Sequence, residues 1–232
     1  MRRWVGIFLI PVLLAGCRET RVRDFWNTHS TDYANMEAAR EQFVDYVKIA
    51  STVDEATALA SLDMLFDKIK EDEVAYYTYT RWMNGIFYHP LSPYRSVAFY
   101  AKLVDRLSSD GIFLEEECIP YRQQLAWLKL NLAGDRATLP GVDLDERRTL
   151  ILVLDLGCPS CREALTALSA APEWADVRRV AIGCGHGPEP DIPGWDYYFP
   201  EDAAAVFDPE ITPVYFVVSA DGTVEKSYTP AL

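Results

Sequence analysis

The sequence predicts an all-α helical bundle followed by a small α/β domain, an α+α/β chain. Three observations carry this. Apolar residues recur at helical spacing from about Asn35 to Leu132. From Thr149 onward they gather into short unbroken runs, one of them leading straight into a helical segment. Between the two, Asp135 to Arg148 is charged, aperiodic and broken by Pro140-Gly141, so 135–148 reads as a linker. Half of the 232 residues are hydrophobic, enough for a core in each part. The net charge of −13 argues against a nucleic-acid partner, because phosphates would repel the chain.

The N-terminus carries a targeting pattern. Arg2 and Arg3 are followed by an apolar run, Trp4 to Leu14, too short to span a bilayer as a mature helix. Leu14-Ala15-Gly16-Cys17 then resembles the lipobox of bacterial lipoproteins. That resemblance implies removal of a signal peptide, 1–16, and lipidation of Cys17. It places the mature chain outside the cytoplasm, held to a bacterial cell-envelope membrane by lipid rather than by a spanning helix. The alternative is a plain secretory signal with a chance cysteine. Residues 17–34 are polar and read as a tether.

The helical domain, 35–134, divides into five helices. Phe43, Val44, Val47 and Ile49 mark the first. Ser51 or Thr52 is a candidate cap for the second, whose stripe runs from Ala56 to Ile69. Asp72 starts a third, rich in aromatics from Tyr76 to Tyr88; these read as core, with a groove for an extended peptide as the alternative. His89-Pro90 ends it. Ser92-Pro93 offers a cap and an N1 proline for the fourth, which runs to about Ser108. The fifth runs from about Glu115 to Leu132, with Gly134 in the place of a C-terminal cap.

In the second domain, 149–232, a strand at Leu150 to Leu154 delivers Cys158-Pro159-Ser160-Cys161 to the start of a helix. Unpaired N–H groups and a partial positive charge at that helix start favour thiolate at Cys158. Cys161, one turn on, is placed to resolve a mixed disulfide. A structural disulfide is the alternative for the pair. A second strand follows at Val177 to Ile182, then a Gly- and Pro-rich loop, Gly183 to Gly194. Trp195 to Phe199 is a short extended segment and Glu201 to Val206 a short helix. Val214 to Val218 is a buried strand, and Asp221-Gly222 turns into Thr223 to Tyr228.

These motifs, with Phe207-Asp208-Pro209-Glu210-Ile211-Thr212-Pro213 ahead of the third buried strand, resemble the thioredoxin-like proteins, nearest the membrane-anchored extracytoplasmic thiol–disulfide oxidoreductases. The whole chain looks like a lipoprotein type common in the Bacteroidetes, in which an uncharacterised helical domain precedes a thioredoxin-like one. The resemblance implies a cis-proline at Pro213 opposite the dithiol, Cys158 as nucleophile and Cys161 as resolving thiol. It also implies substrate binding by Pro159, Thr212 and Pro213. Its partners would be exported cysteine-containing proteins and a membrane thiol reductant, and no cofactor is needed. The chain departs from the family at Gly157, where a larger residue is usual, and at Leu152, where the buried acid is missing. The last helix is also absent, and the helical domain is expected to cover the sheet face it would leave open. A redox-inactive binding or scaffold lipoprotein is the alternative function. Cys184 and His186, with Cys158 and Cys161, form a possible Cys3His zinc set; Cys184 also reads as a third redox thiol or a small core residue. Cys118 reads as core, with pairing to Cys184 as the alternative.

Overall fold

The computed structural model describes residues 18–184 and 192–230. The chain forms two compact units, one comprising residues up to Tyr88 with Tyr94–Ile119, the other His89–Pro93 with Pro120–Leu232. The division falls inside a helix, whereas the sequence places the boundary at 135–148.

The first unit is helical. Its elements are α1 (Phe25–Thr28), α2 (Met36–Ala50), α3 (Glu55–Ile69), α4 (Glu73–Phe87), α5 (Val97–Ser109) and the start of α6 (Glu115–Leu128). Side-chain caps fix most starts: Asn35 accepts from the Ala38 amide, Asp54 from Thr57, Asp72 from Val74 and Ala75, and Ser96 from Phe99. Two of these differ from the expected Ser51 or Thr52 and Ser92. Each connection holds several cap-capable residues, and the one immediately before the apolar stripe acts.

The expected tether is part of the core. Residues 18–23 are helical, and Val22, Phe25 and Trp26 are buried at i, i+3 and i+4. The Ser61 hydroxyl donates to the Val22 carbonyl at 2.7 Å. The aromatics of α4 are mostly core: Tyr76, Tyr79 and Phe87 are fully buried, while Trp82 stays half-buried. His29 stacks on Phe25 and bonds its carbonyl through Nδ1.

The second unit is a five-stranded mixed sheet in the order β3-β2-β1-β4-β5. The strands are β1 (Thr149–Leu154), β2 (Arg178–Gly183), β3 (Asp196–Tyr198), β4 (Val214–Val218) and β5 (Val224–Pro230). β1 runs parallel to β2 and antiparallel to β4. β1 is buried along its whole length, as an unbroken apolar run requires. Leu150, Leu152 and Leu154 face α7 (Pro159–Ala170) through Ala164, Leu165 and Leu168. Ile151 and Val153 face the other way, toward Phe207 and Phe216.

Among the described residues no helix follows β5. The sheet face turned away from α7 is met by residues expected to be a linker. Ala137, Leu139, Val142 and Leu144 pack on it, beside Val206 of the short α8 (Ala203–Val206). The segment is fastened at its start. The Gly134 amide donates to the Val224 carbonyl, the Val224 amide to the Asp135 carbonyl, and the Ala137 amide to the Gly222 carbonyl. Asn131 bonds the Thr138 backbone in both directions, at 3.1 and 2.6 Å. Further support comes from the end of α6, where Trp127 Nε1 donates to Ala204 and the Tyr228 hydroxyl donates to the Trp127 carbonyl.

Candidate functional site

The site is built where β1 ends and α7 begins. β1 stops at Leu154, and Asp155 turns the chain, its carboxylate accepting the Gly157 amide at 2.9 Å. Cys158 is the N-cap of α7 and Pro159 occupies its first turn, where a missing N–H costs nothing. Cys158 is half-buried and Cys161 is buried. Both are free thiols, as are Cys118 and Cys184.

The two thiols of the pair are pushed in opposite directions. Cys158 is lowered from the ordinary thiol range. The Ser160 hydroxyl, 2.9 Å from its sulfur, does most of this, against burial, with help from the Cys161 and Ser160 amides and the Cys161 thiol. Burial pushes Cys161 up to about 11, although the Asp155 amide (3.3 Å) and Thr212 bond its sulfur in the opposing sense. The outer sulfur is therefore the readier of the two to ionise, and the inner one stays a thiol at neutral pH. Thr212 stands beside Cys161, and the Thr212–Pro213 peptide bond is cis. The structure thus gathers Cys158, Pro159, Cys161, Thr212 and Pro213 in one place.

Two contributions were not read in the sequence. One is Ser160, whose position two residues into the helix lets its hydroxyl reach back to the capping residue. The other is an apolar shelf. A side chain at Gly183 would meet the Phe199 ring at 2.6 Å and Leu156 at 3.4 Å, so only glycine fits beneath that ring. Phe199 is 43% exposed. Leu156 packs in the same cluster as Cys158. No local pattern signals this contact, since β2, the loop and the residues after β3 meet only in the fold.

The remaining cysteines are apart from this chemistry. Burial, then the Asp155 and Asp208 charges, push Cys184 up to about 12, so it remains a protonated core thiol. Cys118 is buried and donates to the Leu107 carbonyl at 3.5 Å. Cys17 and His186 lie outside the described residues. Among the described residues no group of three or more His, Cys, Asp or Glu could hold a metal ion, and no helix is long and apolar enough to cross a membrane.

The fold has a solved counterpart. The chain is similar over its whole length to a crystal structure of a thioredoxin-like protein from Bacteroides caccae, covering 96% of that chain with a TM-score of 0.69 and 17% identity. The second unit has a thioredoxin-like fold. No family model matches the chain, and no curated protein matches it.

Proposed function

We propose that the protein is a lipid-anchored, extracytoplasmic thiol–disulfide oxidoreductase acting on exported cysteine-containing proteins. The observation that carries the reading is the opposed pair of thiols at the head of α7 beside a cis-proline. The Cys158 thiolate attacks one sulfur of a substrate disulfide. That S–S bond breaks, a Cys158–substrate disulfide forms, and the departing substrate thiolate takes a proton. Cys161 then loses its proton and attacks Cys158 Sγ, freeing the second substrate thiol and leaving a Cys158–Cys161 disulfide. The dithiol has been oxidised by two electrons and the substrate reduced by two. A membrane thiol reductant would restore the dithiol. Pro159, Thr212 and Pro213 would hold the substrate backbone by strand addition. Anchoring rests on Leu14-Ala15-Gly16-Cys17.

A second reading, a redox-inactive binding lipoprotein, is favoured by Leu152. This residue is fully buried in the cluster that holds Cys161, so no carboxylate sits there to take the resolving proton. Insulin-disulfide reduction separates the two. Turnover by the parent, lost in Cys158→Ser, supports exchange; no turnover by a parent with titratable, accessible thiols supports binding.

A further inference from the structure

A cleft on the helical unit has features that the exchange reaction does not use. Residues of α2 and α4 line two adjoining hollows of about 700 and 470 Å³ that share Met36, Arg40 and Trp82. Both lie within the size range of ligand sites. The Trp82 ring is held from behind, stacked on buried Phe43 and edge-on to buried Tyr79, with centroids 6.3 and 4.9 Å away. It is a fixed platform with one side half-open. Met36 beside it is 49% exposed, and its flexible thioether adapts to varied apolar groups.

The charges in the smaller hollow are of one sign. It is lined by Arg40, Thr78, Arg81, Gly85 and Ile86 besides Met36 and Trp82. Among the described residues neither guanidinium has a hydrogen-bond or ion-pair partner, in a chain of net charge −13. Gly85 is the second unusual choice. It lies inside α4 with nothing within 4 Å of where a side chain would start, so neither packing nor backbone geometry calls for glycine. Glycine inside a helix is a destabilising choice, and here it keeps the hollow open. The larger hollow adds Glu37, Glu41, Asp45 and Lys48, giving the cleft a mixed-charge end.

We propose that this cleft binds an extended peptide segment, with an acidic side chain held by Arg40 and Arg81 and a neighbouring aromatic or long aliphatic side chain laid on Trp82. Charge complementarity selects the acid, because two unpaired guanidiniums form bidentate bonds with carboxylates. Two hollows that adjoin through Met36, Arg40 and Trp82 suit neighbouring side chains of one peptide better than a single compact ligand. The site is independent of the dithiol, and its failure would leave the proposed reaction untouched.

The test uses the full chain and a randomised pool of cysteine-free peptides, so that the thiols cannot capture anything covalently. The expected result is enrichment of Asp or Glu beside Phe, Tyr, Trp or Leu. A fluorescent peptide of the selected sequence should then lose affinity about tenfold or more in Arg40→Ala and in Arg81→Ala. It should lose binding in Gly85→Leu, whose fold is checked by circular dichroism. Arg40→Glu with Arg81→Glu should shift the selected residues to Lys and Arg. The proposal is overturned if nothing is enriched, if the selected peptide binds these variants as it binds the parent, or if only an acidic polysaccharide such as polygalacturonate binds.

Discussion

Polar groups serve different ends in the two units. In the helical unit one set of them closes on itself. Arg106 meets Asp110, Asp67 and Asp63 at 2.9, 2.8 and 3.3 Å, Lys102 meets Asp63 at 2.8 Å, and the Tyr76 hydroxyl donates to Asp110 at 2.9 Å. The same unit has an aromatic core that includes Trp26, Phe43, Tyr46, Phe66 and Tyr79. In the sheet unit the core is mostly aliphatic, and the donors at the head of α7 converge on a sulfur that is left accessible. A satisfied network holds helices in place; donors aimed at a half-exposed thiol prepare a reaction. On the proposed reading, chemistry falls to the sheet unit and recognition to the helical unit.

The largest effect should come from removing the aromatic core at its least expected member. Trp26→Ala is expected to destabilise the helical unit by about 3–5 kcal/mol, seen as a lowered denaturant midpoint in circular dichroism. A change within experimental error would mean that 18–28 is a tether after all. The sheet unit should prove sensitive at Leu139. A carboxylate on the covered face should cost about 2–4 kcal/mol in Leu139→Asp, because burial without a partner disfavours the charge. If that variant melts like the parent, the segment 137–144 does not complete the sheet.

Arg106→Ala should be milder, about 1–3 kcal/mol at neutral pH: exposed Asp67 loses little, while buried Asp110 loses its cation and keeps the Tyr76 hydroxyl. Its pH dependence has a definite sign. The Arg106 hydrogen bond holds Asp67 below the usual carboxylate range. The stability this confers is present above the unfolded-state pKa of about 4 and is lost as pH falls through the lower folded value. The gap between parent and variant in urea melts should therefore narrow in acid. The smallest effect is at the site itself. Ser160→Ala should move the Cys158 titration upward, measured by alkylation rate against pH, with no loss of fold.

What could be read in the sequence followed the reach of each signal. The dithiol, the strand before it and Thr212-Pro213 are contiguous motifs, and all of them fall at one place in the fold. The five long helices announce themselves by repeated apolar spacing. The segment 18–28 did not, since Val22, Phe25 and Trp26 are only three buried positions among charges. Ala137, Leu139, Val142 and Leu144 were likewise masked, each separated from the next by polar residues or by Pro140-Gly141. Their burial depends on a sheet face made of distant strands. Gly183 under Phe199 is a contact of the same kind.

The central claim is that one fold region sets two neighbouring thiols apart. Its most direct measurement is the pH dependence of alkylation at Cys158 and Cys161 in the reduced full chain, resolved by peptide mass spectrometry. The account predicts that Cys158 reacts first, with a midpoint below that of an ordinary cysteine, and that Cys161 reacts only in strong alkali, near 11. Two thiols titrating together at the ordinary value would contradict it.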